Sequence, residues 1–216
     1  MPTAHASRIA SLSLLPILCL LLAAPAVADT AYTNLGSPVN YNAGIGWTVG
    51  GAGSVVGLSN NAEQFTSLVT GNVTQIDLGL GWVLGTNAAT VSLWTSVGNL
   101  PGTQLGTWNV SNQPVFGSTS TQLTTIAVGG IPITAGSAYF LVVEGASDTW
   151  DAWNYNSQGF QGLLLQDSGS GWRSFSDSTV GAFDVLATTT PEPSSLLLLG
   201  TGLLGAVGVI RRKTNL

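Results

Sequence analysis

Residues 30–190 show no sustained helical period and consist of short β-prone runs separated by turn clusters. In the clearest run, Ile76, Leu78 and Leu80 occupy alternate positions, which is the two-residue period of a strand with one buried face. Glycine, asparagine and proline separate the runs, as in residues 98–102. This pattern predicts an all-β fold, a β-sandwich of the jelly-roll type. The predicted strands cover residues 64–69, 73–84, 89–95, 105–110, 122–128, 138–144, 162–166 and 182–187.

The N-terminus has the pattern of a secretory signal peptide. Arg8 precedes an apolar run over residues 9–22, and Ala26 and Ala28 supply the small residues of a cleavage site. We expect cleavage after Ala28, so that residues 1–28 are removed and the rest of the chain is exported.

The C-terminus carries a second membrane signal. A tripeptide of Pro191, Glu192 and Pro193 precedes an uncharged run over residues 194–210, and basic residues follow it. The basic stop consists of Arg211, Arg212 and Lys213. At 1.5 Å per residue a helix over the run is about 25 Å long, slightly less than the ~30 Å hydrocarbon layer. The tail therefore predicts a transmembrane helix of marginal length, with its basic end in the cytoplasm, suited to temporary retention.

In its order of parts this tail resembles the PEP-CTERM sorting signal of Gram-negative bacteria. The resemblance covers the tripeptide, the Leu- and Gly-rich run and the basic stop, within residues 191–216. It implies that an exosortase-like membrane enzyme recognises the tripeptide and processes the tail. It also implies a stay in the inner membrane before processing, followed by the cell surface or the extracellular matrix. The alternative is an ordinary C-terminal membrane anchor after a proline-rich linker.

These signals divide the chain into four segments. They are the signal peptide at 1–28, an extracellular β-sandwich domain at 29–187, a linker with the tripeptide at 188–193, and the hydrophobic sorting helix with its basic stop at 194–216. The exported domain is similar to extracellular domains grouped as choice-of-anchor, type R, through motifs such as Gly46-Trp47 and the run at 138–143. That resemblance implies a β-rich domain and carries no catalytic residue.

The exported domain has no histidine, cysteine or lysine, since His5 and Cys19 lie in the signal peptide. This excludes histidine-based nucleophilic catalysis, zinc sites of His and Cys, and disulfides. Nine acidic side chains against Arg173 alone give residues 29–190 a formal charge of −8, nine minus one. Because such a surface repels phosphates, we expect no nucleic-acid partner.

Carboxylates remain as candidate chemical groups. Glu144, Asp148 and Asp151 follow an apolar strand within eight residues of one another. Two carboxylates suffice for glycoside hydrolysis, and carboxylate oxygens also bind calcium. The alternative is that they are solvated loop acids that keep the domain soluble. We expect no enzyme and no cofactor, with a structural calcium ion at these three residues as the alternative.

Four aromatic residues suggest a carbohydrate site, because they lie among Asp, Asn, Ser and Gly in segments that resemble loops. They are Trp150, Trp153, Tyr155 and Trp172. Aromatic faces stack on sugar rings while neighbouring amides bind the hydroxyls. The alternative, favoured by the usual burial of tryptophan, is that these side chains close the ends of the sandwich.

The sequence therefore predicts a non-catalytic exported protein that acts in surface structure or adhesion. A carbohydrate-binding module, with extracellular polysaccharide as its partner, is the first alternative. A carboxylate-dependent glycoside hydrolase is a more distant one.

Overall fold

The computed structural model describes residues 28–119, 121–189, 199–200, 202–204, 207 and 211. Over residues 28–189 the fold is all-β, as the sequence predicts, and its neighbouring strands pair antiparallel. The strands in this part of the chain are β1 (Ala28–Thr33), β2 (Tyr41–Gly50), β3 (Asn60–Thr66), β4 (Gly71–Leu78), β5 (Leu80–Leu84), β6 (Ala88–Val97), β7 (Leu100–Ser111), β8 (Thr124–Ile133), β9 (Ala138–Gly145), β10 (Trp150–Asn156), β11 (Gln161–Asp167), β12 (Arg173–Thr179) and β13 (Phe183–Thr189).

The strands form three sheets that make a sandwich. Their orders are β1-β13-β4-β8, β2-β10-β5 and β12-β11-β3-β9-β6-β7. The four- and three-stranded sheets join at Gly79, between β4 and β5. The Gly79 N–H donates to the Ala182 carbonyl at 2.9 Å, and the Gly79 carbonyl accepts from the Asn154 N–H at 2.8 Å. The two smaller sheets thus form one layer, which faces the six-stranded sheet across the main core.

The main core explains the alternation seen in the sequence. Ile76, Leu78 and Leu80 are fully buried there, and Leu141 and Val143 of β9 face them from the other layer. Since successive side chains of a strand point to opposite faces, β4, β6 and β9 contribute alternate residues to this core. Burial of each large apolar side chain stabilises the fold by about 1.5–3 kcal/mol before entropy costs.

Four strands, β1, β2, β10 and β12, are not found by sequence patterning. They are rich in Asn, Ser, Thr and Gly, so their apolar alternation is weak and backbone pairing within the sheets defines them. The interpretation of Trp150, Trp153 and Tyr155 as loop residues is wrong, because all three lie in β10.

The C-terminal strand extends further than the sequence indicates. Thr188 and Thr189, assigned above to the linker, continue β13 and pair with Asn72 and Gly71 of β4. β13 is thus described as far as Thr189.

A two-residue turn connects β6 to β7. Val97 pairs with Leu100, and the residues between them, Gly98 and Asn99, have φ of 57° and 62°. Positive φ at both positions is the type I′ turn, whose twist matches that of antiparallel hairpins. The turn places Asn99 at one end of the six-stranded sheet.

Most of the predicted targeting segments lie outside the described residues. This holds for Ala26, for the Pro191-Glu192-Pro193 tripeptide, and for Arg212 and Lys213. The described residues within the predicted sorting helix are helical; they are 199–200, 202–204, 207 and 211. Among the residues with described positions, no helix has the length and apolar character required to cross a membrane.

Candidate functional site

The four aromatic residues predicted to bind carbohydrate do not form one surface. Trp153 is fully buried, its indole N–H donates to the Ala182 carbonyl at 3.2 Å, and its ring centroid lies 5.8 Å from that of Phe183. A ring enclosed in this way has no face free for a sugar, so the assignment of Trp153 to a binding surface is wrong. Tyr155 is half-buried against Trp47, with ring centroids 5.8 Å apart.

Trp172 lies apart from β10, directly before β12, and packs on the outer face of the six-stranded sheet. The outer face is the side of this sheet that points away from the main core. Its apolar residues form what we call the outer-face cluster. The cluster consists of the buried residues Ala62, Phe140, Val142 and Leu165 and the partly exposed residues Trp94, Leu163 and Trp172.

Strand alternation produces this second cluster. In β9, Tyr139, Leu141 and Val143 belong to the main core, so Phe140 and Val142 project to the opposite side. A strand that is apolar at consecutive positions is typical of burial on both faces. That signal was present at residues 138–143 and indicates an apolar outer face. Sequence reasoning missed Trp94, because within a predicted strand it resembles an ordinary core residue.

Amide and hydroxyl groups border the cluster at the β6–β7 turn. Gln64 lies beside Phe140 in the register of β3 and β9. Its Nε2 donates to the Ser96 Oγ at 2.9 Å and to the Asn99 Oδ1 at 3.3 Å. Trp94 pairs with the same Phe140 from β6. The indole of Trp94 therefore stands next to a hydrogen-bonded polar group.

A second polar group borders the cluster at the other end of β3 and β9. The Asn60 Nδ2 donates to the Glu144 Oε1 at 3.3 Å. Partial burial, together with the nearby charge of Asp167, raises the pKa of Glu144. Hydrogen-bonding side chains thus border the outer-face cluster at both ends of β3 and β9.

A cavity of about 470 Å³ opens next to the outer-face cluster. It shares Gln64 and Leu163 with the region just described, and the exposed apolar side chains Leu68 and Phe160 also line it. Sequence patterning does not indicate this cavity, because its walls come from β1, β3 and β11, which are distant in the chain.

The three carboxylates predicted as catalytic groups or calcium ligands lie in different environments. Glu144 is on the outer face, whereas Asp148 is exposed and has its pKa lowered chiefly by a hydrogen bond with Thr86. Asp151 is buried in β10 beside Val49, and neither of its carboxylate oxygens has a partner among the described residues. The interpretation of Asp151 as a solvated loop acid is therefore wrong. Across residues 28–119 and 121–189, no group of three or more His, Cys, Asp or Glu residues is placed to hold a metal ion.

Glu63 is a buried carboxylate that sequence reasoning missed. It lies on the inner face of β3, is fully buried, and accepts a 2.6 Å hydrogen bond from the Gly181 N–H. Desolvation raises its pKa to about 8. Gly181 lies where the chain passes from β12 in one layer to β13 in the other. The hydrogen bond to Glu63 therefore links this crossover to the six-stranded sheet.

Asn34 also binds the backbone of this crossover, through two hydrogen bonds. Its Nδ2 donates to the Gly181 carbonyl at 2.7 Å, and its Oδ1 accepts from the Phe183 N–H at 2.8 Å. A Cβ at Gly181 would lie 2.4 Å from the Trp153 ring. The crossover thus requires glycine, and its polar partners have a structural role.

A pair of aspartates occupies the outer side of the four-stranded sheet. Asp77 and Asp184 are direct partners in β4 and β13, and the Gln75 Nε2 donates to the Asp77 Oδ2 at 2.6 Å. Burial and the adjacent Asp77 carboxyl raise the pKa of Asp184 to about 7.

Comparison with known protein families identifies one feature of the chain. The PEP-CTERM protein-sorting motif matches residues 189–213. The protein carries a PEP-CTERM sorting signal. The match begins at Thr189, the last residue of β13, so the sorting signal follows the sandwich directly. Neither the curated proteins nor the solved structures yielded a match.

The PEP-CTERM signal supports export in a Gram-negative bacterium and processing by an exosortase. The motif covers only the tail, so the similarity of the sandwich to choice-of-anchor domains stays a prediction.

Proposed function

We propose that this protein is a non-catalytic β-sandwich that acts in surface structure or adhesion once exosortase has processed its tail. It resides in the inner membrane before processing and at the cell surface or in the extracellular matrix afterwards. The observation that carries the proposal is the sorting motif at 189–213, placed directly after the last strand of an exported domain.

The placement of the carboxylates supports a non-catalytic role. Glu144 is on the outer face of the six-stranded sheet, whereas Asp151 is buried in the other layer. A glycoside hydrolase needs two carboxyls facing each other across a cleft, about 5–10 Å apart. These two residues project into different environments, and Asp148 is exposed in the turn between their strands.

The sorting step is tested by replacing Pro191, Glu192 and Pro193 with alanine in the full chain. We expect the variant to accumulate unprocessed in the inner membrane, measured by membrane fractionation and immunoblotting for the longer product. Ser176→Ala, an exposed change in β12, is the matched control and should mature normally. Normal maturation of the alanine variant would contradict recognition by an exosortase.

Carbohydrate binding is a second candidate function, and the structure favours a different residue set for it. Trp153 is buried, but Trp172 shares the outer-face cluster with Trp94, and both are partly exposed. Adhesion to polysaccharide would be one form of the surface role proposed above.

A further inference from the structure

We propose that the outer-face cluster binds a neutral polysaccharide, with the indoles of Trp94 and Trp172 stacking on its sugar rings. This inference rests on the proposed surface function and specifies the partner that the sandwich would hold.

The exposed part of the cluster is mainly aromatic. Phe140 and Ala62 have no exposed surface, because the partly exposed side chains cover them. The most exposed aliphatic side chain in the described part of the sandwich, Val55 at 74%, lies outside this cluster. Protein interfaces are built around a buried apolar core, whereas the partly exposed side chains of this cluster are two indoles and Leu163. An indole ring can stack on the apolar C–H face of a pyranose, while the neighbouring polar side chains bind the hydroxyl groups at its edge.

The spacing of the two indoles fits a chain of sugars rather than a single one. Trp94 is on β6, and Trp172 lies beyond the end of β11. At least three strand spacings, about 14 Å, separate these strands in the order β11-β3-β9-β6, and the register places Trp172 about four residues, roughly 13 Å, further along the strand axis. Two platforms that far apart contact different residues of one oligosaccharide. The polysaccharide would then run diagonally across the strands of the sheet.

Hydrogen-bonding side chains, all uncharged except Glu144, lie along this path. Gln64, Ser96 and Asn99 form one connected group beside Trp94. Asn60 and Glu144 form the other, at the opposite end of the stripe. Amides and hydroxyls of this kind both donate to and accept from sugar hydroxyls, whereas the apolar stripe between them offers stacking only. The arrangement therefore matches both sides of a sugar ring.

The negative charge of the domain favours a neutral polysaccharide over an acidic one. Nine acidic residues against one arginine give residues 29–190 a formal charge of −8, and Glu144 and Asp167 lie at the site itself. A polyanionic glycan would be repelled by this field. The cavity of about 470 Å³ beside Gln64 and Leu163 provides room for a branch or a chain end.

The test is affinity electrophoresis of the full-length protein in detergent through gels that contain neutral β-glucan, α-glucan, galactan or mannan. We expect retardation by at least one of these polymers. Trp94→Ala and Trp172→Ala should each weaken that retardation roughly tenfold, which corresponds to about 1.4 kcal/mol for the loss of one aromatic contact. The conservative variants Trp94→Phe and Trp172→Phe should keep most of the binding, because a ring remains.

Trp150→Ala is the matched control, since Trp150 is a half-buried tryptophan in the other layer. It should bind as the wild type does. Thermal melting of every variant separates loss of binding from loss of folding, and the phenylalanine variants keep the test valid if an alanine variant does not fold. No retardation of a correctly sorted wild-type protein by any of the four polymers would overturn this inference alone. So would self-association in sedimentation that Trp94→Ala abolishes, because the face would then bind a second copy of the chain.

Discussion

The two faces of the six-stranded sheet are built from the same strands but serve different purposes. On the inner face of β3, Glu63 and Phe65 are enclosed by the opposite layer. On the outer face of that strand, Ala62 is covered only by neighbouring side chains of the sheet, with Trp94 and Trp172 at the boundary. A second sheet covers the inner face, whereas the outer-face cluster is covered by the indole rings of Trp94 and Trp172, which remain partly exposed.

This difference separates aromatic residues that hold the fold together from those available to a partner. Trp153 and Phe183 pack in the core with their ring planes tilted by 59°, and neither has exposed surface. Trp94 is only partly buried against the outer-face cluster, and its indole N–H donates to the Ser92 Oγ at 2.7 Å within its own strand. Residue type is therefore a poor guide to function here, and the face of the sheet is the better one.

The largest expected effect is on the stability of the inner layer. We expect Trp153→Ala to lower the free energy of unfolding by about 4 kcal/mol, because a fully buried indole leaves a large cavity. Trp94→Ala should cost about 1 kcal/mol, since part of its ring is already in water. Urea denaturation of the full-length protein followed by circular dichroism measures both. Equal losses would show that the two faces do not differ in this way.

The crossover between the layers should tolerate no side chain. Gly181→Ala places a Cβ 2.4 Å from the Trp153 ring and should cost up to about 3 kcal/mol from overpacking. Gly129→Ala in β8 is the matched control, because no heavy atom lies within 4 Å of its added Cβ. Thermal unfolding of the two variants checks the comparison. A Gly181→Ala protein as stable as Gly129→Ala would contradict the tight contact at the crossover.

The buried acids should make the inner side sensitive to pH. The pKa of Glu63 is about 8 in the folded protein and 4.5 in the unfolded chain. Between these values the unfolded chain releases a proton that the folded protein keeps, so stability falls as pH rises. It is highest below pH 4.5, and the contribution of Glu63 is lost above about pH 8. Glu63 alone should lower stability by about 1.4 kcal/mol per pH unit in this range, measured by urea denaturation from pH 5 to pH 8.

Glu63→Gln separates this group from the other buried acids. The glutamine Oε1 still accepts from the Gly181 N–H, but no proton is exchanged, so the dependence on pH should become shallower. It should not disappear, because burial also raises the pKa of Asp151 to about 7. An unchanged slope in the variant would assign the effect to other groups. The Trp94→Ala variant, altered on the outer face, should keep the wild-type slope.

The sequence predicted the parts of this fold whose apolar residues alternate strongly. β4 and β9 were found on that basis, and the sandwich follows from many such strands. β10 and β12 were missed, since their strand character comes from pairing with distant neighbours rather than from local composition. Glu63 was missed for a related reason: only the fold brings Gly181 to its carboxylate. The sorting signal could be recognised from the sequence alone, because all its parts lie in one short segment of the chain.

Asp29 and Ala187 are direct partners in β1 and β13, so the entry and the exit of the sandwich lie side by side. A tether attached after Thr189 therefore pulls on a strand held on both sides, by β1 and by β4. A force along that strand must shear its hydrogen bonds together instead of opening them one at a time. While the tail remains attached to a membrane, the domain is thus mechanically suited to bear load at the point where it is held.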